Sequence, residues 1–272
     1  MFGKRLLSSI VLVLLALGVL IPGGPLLAAA LFLLSLTAYH ELQTACGLSK
    51  KAPEIAGYAA VLAFYAVMFF VPDRNYLLIT VFLSLSAFMT LYVLTFPKYG
   101  AKEIMMSVFN LVYAPFMMSF IYMTRELECG IYAVWMIFIS SWICDTCAYC
   151  VGILLGKHPL TPVLSPKKTV EGALGGIFGS ALIGFLFAYF VIMPSDIAIS
   201  KTAATPFVFA GISAAGAVIS QIGDLAASGI KRDMEIKDYG KLIPGHGGVM
   251  DRFDSVVFTA PVIYFLTLLF IG

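Results

Sequence analysis

Two aspartates three residues apart, Asp251 and Asp254, flank an arginine in "GHGGVMDRFD", Gly245 to Asp254. Carboxylates suit hard cations, and Mg²⁺ takes one or two of them together with substrate phosphates and several waters. At i and i+3 on a helix the two acids would share a face. Upstream, "SQIGDLAASGIKR" holds Asp224. If that helix continues, Asp224, Ser228 and Lys231 stand on one face at i, i+4 and i+7. Two helix ends joined by a loop could then aim Asp224, Asp251 and Asp254 at one point. The same acids could instead pair with Lys231, Arg232 or Arg252 as an interfacial anchor. In the turn itself, Gly245, Gly247 and Gly248 permit positive φ and close backbone approach to a ligand. Free N–H groups at a helix N-terminus favour phosphate, and His246 could donate a hydrogen bond to it.

The charge is concentrated. The 27 residues from Ser228 to Asp254 carry 10 of the chain's 32 charged side chains, so a tenth of the sequence holds nearly a third of its charge. A second polar stretch, "SPKKTVEG", sets Lys167 and Lys168 beside Ser165, Thr169 and Glu171. A lysine pair next to a carboxylate suits a polyanionic substrate; a basic anchor with a helix N-cap would account for the lysines equally well. A third lies around Asp145 in "CDTCAYC", where Cys144, Cys147 and Cys150 are spaced by three. Inside an apolar span, cysteine reads as a small packing residue rather than a metal ligand. His40 and Glu41 read as the polar end of a helix at an interface.

These groups sit in a very apolar chain. Of 272 residues, 61% are hydrophobic and 12% charged, and the mean hydropathy is +0.98. A soluble domain would have roughly a quarter of its residues charged. Nine segments, at about 6–22, 25–45, 55–71, 76–96, 104–123, 131–152, 172–193, 207–227 and 254–271, approach the roughly 20 residues a spanning helix needs. Residues 1–30 also have the layout of a signal peptide, but a polytopic chain more often keeps such a segment as its first span. With the N-terminus inside, 14 of the 17 Lys and Arg residues fall in inner loops, the bias that cytoplasmic loops show. Only Arg74, Arg125 and Lys201 fall outside. The expected architecture is all-α: one polytopic membrane domain, residues 1–272, with about nine spans and the N-terminus cytoplasmic. Residues 1–130 form its apolar scaffold half and residues 131–272 its catalytic half. The five cysteines suggest no disulfide framework in a chain facing the cytoplasm.

Acids, bases and a glycine turn at one membrane face are the equipment of phosphoryl or nucleotidyl transfer, where catalysis is mostly positioning and charge neutralisation. No Walker A pattern and no nucleophile elbow is present. At this point the residues resemble a family signature. Ser228, Lys231-Arg232, Lys237-Asp238, His246-Gly247-Gly248, Asp251-Arg252 and Asp254 resemble the pattern of the phosphatidate cytidylyltransferases, or CDP-diacylglycerol synthases. "SPKKTVEG" and "WICDTCAY" also look like segments of that family.

The resemblance implies that CTP and phosphatidate react to give CDP-diacylglycerol and pyrophosphate at the cytoplasmic face of a cell membrane. It implies Mg²⁺, as a two-cation clamp, held by Asp224 and Asp251 with Asp254 assisting. Lys231, Arg232, Lys241 and Arg252 would hold triphosphate or departing pyrophosphate, and His246 would donate to phosphate. Lys167, Lys168, Glu171 and Asp145 would shape the substrate site, Ser228 would support the metal shell, and Gly247 and Gly248 would admit phosphate. The expected partners are CTP, phosphatidate and the bilayer, with self-association as a homodimer and no nucleic acid. Two rivals are weighed beside this reading. A CDP-alcohol phosphotransferase would carry a D-G-x-x-A-R…G-x-x-x-D-x-x-x-D motif, and no such motif occurs. An ion-coupled transporter would place its acids near the midplane in two similar halves, whereas these cluster at one face.

Overall fold

A backbone in hydrocarbon must satisfy its own N–H and C=O groups, and long apolar stretches do so by coiling. The computed structural model describes residues 11, 13–71, 73, 75–195, 201–202, 204–243, 245 and 247–271. Among these are eight helices long and apolar enough to cross a membrane. They are α1 Gly24–Ala45, α2 Ala52–Phe70, α3 Asn75–Thr95, α4 Ala101–Arg125, α5 Gly130–Leu155, α6 Val170–Ile192, α7 Thr205–Asp233 and α8 Met250–Phe270. The protein is an all-α polytopic membrane protein. Of the expected first span, residues 13–20 are helical. Residues 1–10, with Lys4 and Arg5, lie outside the described residues, as does Arg74.

Two features differ from the sequence reading. The apolar span expected at about 207–227 is part of a longer helix that runs on to Asp233. Lys231 and Arg232 in its last turn complement the negative end of the helix dipole, and Glu235 leaves it with a φ of 54°. Between α5 and α6 the chain forms a two-stranded antiparallel hairpin, β1 Pro159–Thr161 and β2 Ser165–Thr169. Pro159 pairs with Thr169 and Thr161 with Ser165. Prolines at 159, 162 and 166 keep this stretch out of a helix.

The chain divides into two compact units, one of Met1–Tyr122 with Ile236–Arg252 and one of Met123–Glu235 with Phe253–Gly272. The turn before α8 thus belongs with the first helices of the chain. In that unit, α1 is tied to α2 near its polar end. The Tyr39 hydroxyl donates to Pro53 O at 3.3 Å, and His40 Nδ1 lies 2.7 Å from Glu54 Oε1. Gly57 makes room for the Tyr39 ring, since a Cβ there would lie 2.1 Å from the hydroxyl oxygen.

The second unit is built on small residues. Gly172, Gly176, Ser180 and Gly184 recur every four positions along α6 and are all buried. A Cβ at Gly176 would lie 2.8 Å from Cys144 Sγ, one at Gly179 2.5 Å from Cys147 Sγ, and one at Gly184 2.2 Å from Ser213 Oγ. In lipid, helices associate by such close packing and by interhelical hydrogen bonds. Here Ser180 Oγ donates to Ile139 O (3.1 Å), Ser140 Oγ to Ser213 O (3.2 Å) and Gln221 Nε2 to Ala173 O (2.9 Å). Ser180 meets α5 at a π-helical turn, Ile139–Ile143, just before Asp145. Cys144 and Cys147 are packing residues of this core, as expected.

Candidate active site

The close packing of α5, α6 and α7 brings charged side chains of the second unit together. Lys168, near the end of β2, forms an ion pair through Nζ with Asp224 Oδ2 on α7. The charges of Asp145 on α5, Asp254 on α8 and Lys231 on α7 all bear on the same ammonium. Burial pushes that ammonium down from the ordinary lysine range; Asp145 and Asp254 oppose the shift, and Lys231 adds to it. Next to Asp224, Gly223 allows α7 and α8 to touch. A Cβ there would lie 2.8 Å from Phe258 Cβ and 3.1 Å from Asp254 O. Asp254 is buried, and its Oδ1 accepts from Ser255 N at 2.8 Å. Three acids and two amines from three helices and a hairpin are thus in electrostatic reach.

The glycine turn forms a second constellation, in the first unit. Ile243 N donates to Gly247 O at 2.8 Å, closing a turn in which Gly245 and Gly247 take φ values of 79° and 87°. That left-handed backbone explains both glycines. The buried Asp251 accepts, at Oδ2, from Tyr239 N (2.8 Å) and Gly248 N (3.0 Å). The next two amides go to Glu41: Val249 N to Oε1 at 3.0 Å and Met250 N to Oε2 at 2.8 Å. The amides of Gly248, Val249 and Met250, expected to be free for phosphate, are engaged by the protein's own carboxylates. For Val249 and Met250 only the tertiary structure could show this, because their acceptor lies more than 200 residues away in sequence.

The remaining predicted residues are placed as follows. Asp224, Ser228 and Lys231 lie on a continuous helix, so the one-face spacing expected of them holds. Arg232, Lys241 and Arg252 are exposed, as is Lys167. Glu171 accepts from Lys157 N (3.0 Å) and His158 N (3.2 Å), and its Oε1 lies 2.5 Å from His158 Nδ1. It therefore clasps the loop leading into the hairpin, while Thr169 caps α6 by accepting from Gly172 N at 3.1 Å. His246 lies outside the described residues. Glu41 was expected only as the polar end of a helix at an interface, and Gln221 was not singled out from the sequence. The glycines spaced by four in α6 were a legible hint of the core that Gln221 joins; nothing local marked Glu41 as the partner of Val249 and Met250.

The comparison with known proteins bears directly on this chemistry. A model of the cytidylyltransferase family matches residues 3–270. The chain belongs to the cytidylyltransferase family. A phosphatidate cytidylyltransferase of Staphylococcus aureus (strain COL) is 30% identical over 267 residues, 96% of this chain and 97% of the relative. One of Staphylococcus epidermidis (strain ATCC 12228 / FDA PCI 1200) is 32% identical over the same length and coverage. A nucleotidyltransferase of this family must gather two anionic reactants and neutralise them. Lys168 and Lys231 bring positive charge, and Asp145, Asp224 and Asp254 carboxylates, into one cluster.

Proposed function

We propose that the protein transfers the cytidylyl group of CTP to phosphatidate, giving CDP-diacylglycerol and pyrophosphate. The observation that carries this reading is the cluster around Lys168, set in a chain that matches the cytidylyltransferases along almost its whole length. A phosphatidate oxygen attacks the α-phosphorus of CTP as the bond to the β-phosphate oxygen breaks. Because a phosphomonoester has its second pKa near ~6, the nucleophile is already anionic at neutral pH and needs no dedicated base. The main obstacle is repulsion between two anions.

Lys168 and Lys231 hold triphosphate charge. Arg232, Lys241 and Arg252, exposed on the same stretch of chain, receive triphosphate or the leaving pyrophosphate. Ser228, one turn beyond Asp224 on α7, supports the acid on the same helix face. Mg²⁺ fits the donors present, which are all carboxylate oxygens. Among the described residues no three His, Cys, Asp or Glu side chains form a metal-binding group by themselves. Mg²⁺ takes one or two carboxylates and completes its shell from phosphates and water. Asp224 and Asp254 are the ligands we assign from the cluster, and Asp251 from the signature. When bound, the ion neutralises phosphate charge and orients the leaving group.

The basic-residue bias supports a site facing the cytoplasm, where CTP is found. Exposed side chains such as Leu94 and Leu154, each 78% exposed, support a bilayer around the helices. The test uses purified full-length protein with radiolabelled CTP, phosphatidate and Mg²⁺. A labelled lipid should form, and should vanish when phosphatidate is omitted or the cation is chelated. Folded protein that makes no such product would overturn the proposal.

A further inference from the structure

Helix α1 contributes a carboxylate that the reaction outlined above does not use. Glu41 is 5% exposed, and burying a charge is costly unless hydrogen bonds compensate it. Its two oxygens accept from the consecutive amides of Val249 and Met250, where α8 begins. It acts as an N-cap supplied from a distant helix, satisfying donors that the helix start leaves open and complementing the positive end of its dipole.

The surrounding glycines make room for this carboxylate. A Cβ at Gly240 would lie 2.2 Å from Glu41 Oε1, and one at Gly248 would lie 2.3 Å from the same oxygen. Neither glycine has a positive φ, so backbone conformation does not require glycine at either position. The space taken by Glu41 does. The two residues before Glu41 are themselves held: Tyr39 is bonded to Pro53 O, and His40 is paired with Glu54. Asp251 takes the amide immediately before the Glu41 pair, that of Gly248, and the two carboxylates act on each other electrostatically.

We infer that Glu41 is a positioning residue: it clamps the first turn of α8 and thereby fixes the orientation of Asp251 for cytidylyl transfer. The functional part of this inference rests on the proposed reaction; the clamp itself does not. Groups that orient ligating carboxylates typically matter by about 10–100-fold in activity or affinity. Glu41→Gln keeps the shape but turns an NH₂ toward a backbone N–H, so one of the two bonds is lost.

Two measurements on the full-length protein in detergent decide it. Hydrogen exchange at Val249 and Met250 should accelerate in Glu41→Gln, while exchange in the α5–α6–α7 core stays as in wild type. Turnover should fall by about 10–100-fold in kcat, with KM for phosphatidate close to wild type. A general loss of folding would instead raise exchange throughout and lower only the amount of active protein. Gly240→Ala should show the same defects, and combining it with Glu41→Asp, one methylene shorter, should cost less than the two single losses multiplied. If Glu41→Gln does not fold, Glu41→Asp is read in the same two assays. Unchanged exchange at Val249 and Met250 overturns the clamp, whether or not the protein makes a lipid product. Altered exchange with unchanged kcat overturns the positioning role. Wild-type protein that is folded but makes no product overturns the proposed reaction and leaves the clamp to be judged by exchange alone.

Discussion

Replacing Lys168 with methionine removes the ammonium at the centre of the acidic cluster while keeping much of the stem. Asp145, Asp224 and Asp254 then lose the positive charge that acts on all three. At about 4 Å and an effective dielectric near 20, one such pair attracts by about 4 kcal/mol. Burial disfavours the same ammonium and lowers its pKa. The Lys168 and Asp224 side chains also remain 30% and 23% exposed. Desolvation and solvent screening together reduce the net loss of stability to about 1–2 kcal/mol. At about 2–4 °C per kcal/mol, this is a fall of a few degrees in melting temperature without Mg²⁺. Millimolar Mg²⁺ should recover it, because the ion would take over the exposed carboxylates.

The kinetic effect should be larger. A charge-assisted hydrogen bond contributes about 1.5–3 kcal/mol, which converts to a fall of about 10–100-fold in kcat/KM for CTP. Lys168→Arg, which keeps the charge but not the compact ammonium, should retain part of the activity. Product formation from radiolabelled CTP, with thermal unfolding followed in parallel, reads both effects. A kcat/KM for CTP within about twofold of wild type would show that Lys168 touches neither triphosphate nor pyrophosphate. A melting temperature indifferent to Mg²⁺ in the variant would show that the acids do not take the ion.

Asp251→Asn should reduce turnover by at least about 100-fold and leave the protein folded in detergent, checked by the lipid-product assay and thermal unfolding. Near-normal turnover would remove Asp251 from the site. Gly216→Leu should destabilise the second unit by about 1–3 kcal/mol, the usual cost of overpacking. Even a Cβ there would lie 2.5 Å from Ser140 Oγ and 2.8 Å from Ile263 Cδ1; unchanged thermal unfolding would contradict this. Glu171→Gln should accelerate amide exchange at Lys157 and His158, whose N–H groups it accepts, while affecting CTP turnover less than Lys168→Met does. The reverse order would place Glu171 at the substrate and not at the hairpin.

The sequence by itself determined the fold class and the chemistry. Apolar stretches long enough to cross a membrane leave the backbone little choice but to coil, so the helices from Gly24 onward could be read directly. The signature from Ser228 to Asp254 needed no structure either, because its residue types and spacing already resemble those of the family to which the chain belongs. Tertiary structure decided which groups meet. Lys168 and Asp224 are 56 residues apart, and their contact depends on how closely α6 lies against α5 and α7. That closeness is set by Gly172, Gly176, Ser180 and Gly184, residues with no chemistry of their own. The role of the glycine turn also changed. Its amides looked open to phosphate, but three of them are held by Asp251 and Glu41, and Gly240 and Gly248 are small because Glu41 fills the space beside them. Nothing in a local stretch of sequence can report a hydrogen bond between residues 41 and 250, because helical periodicity extends only a few turns and such a bond exists only once distant helices have packed.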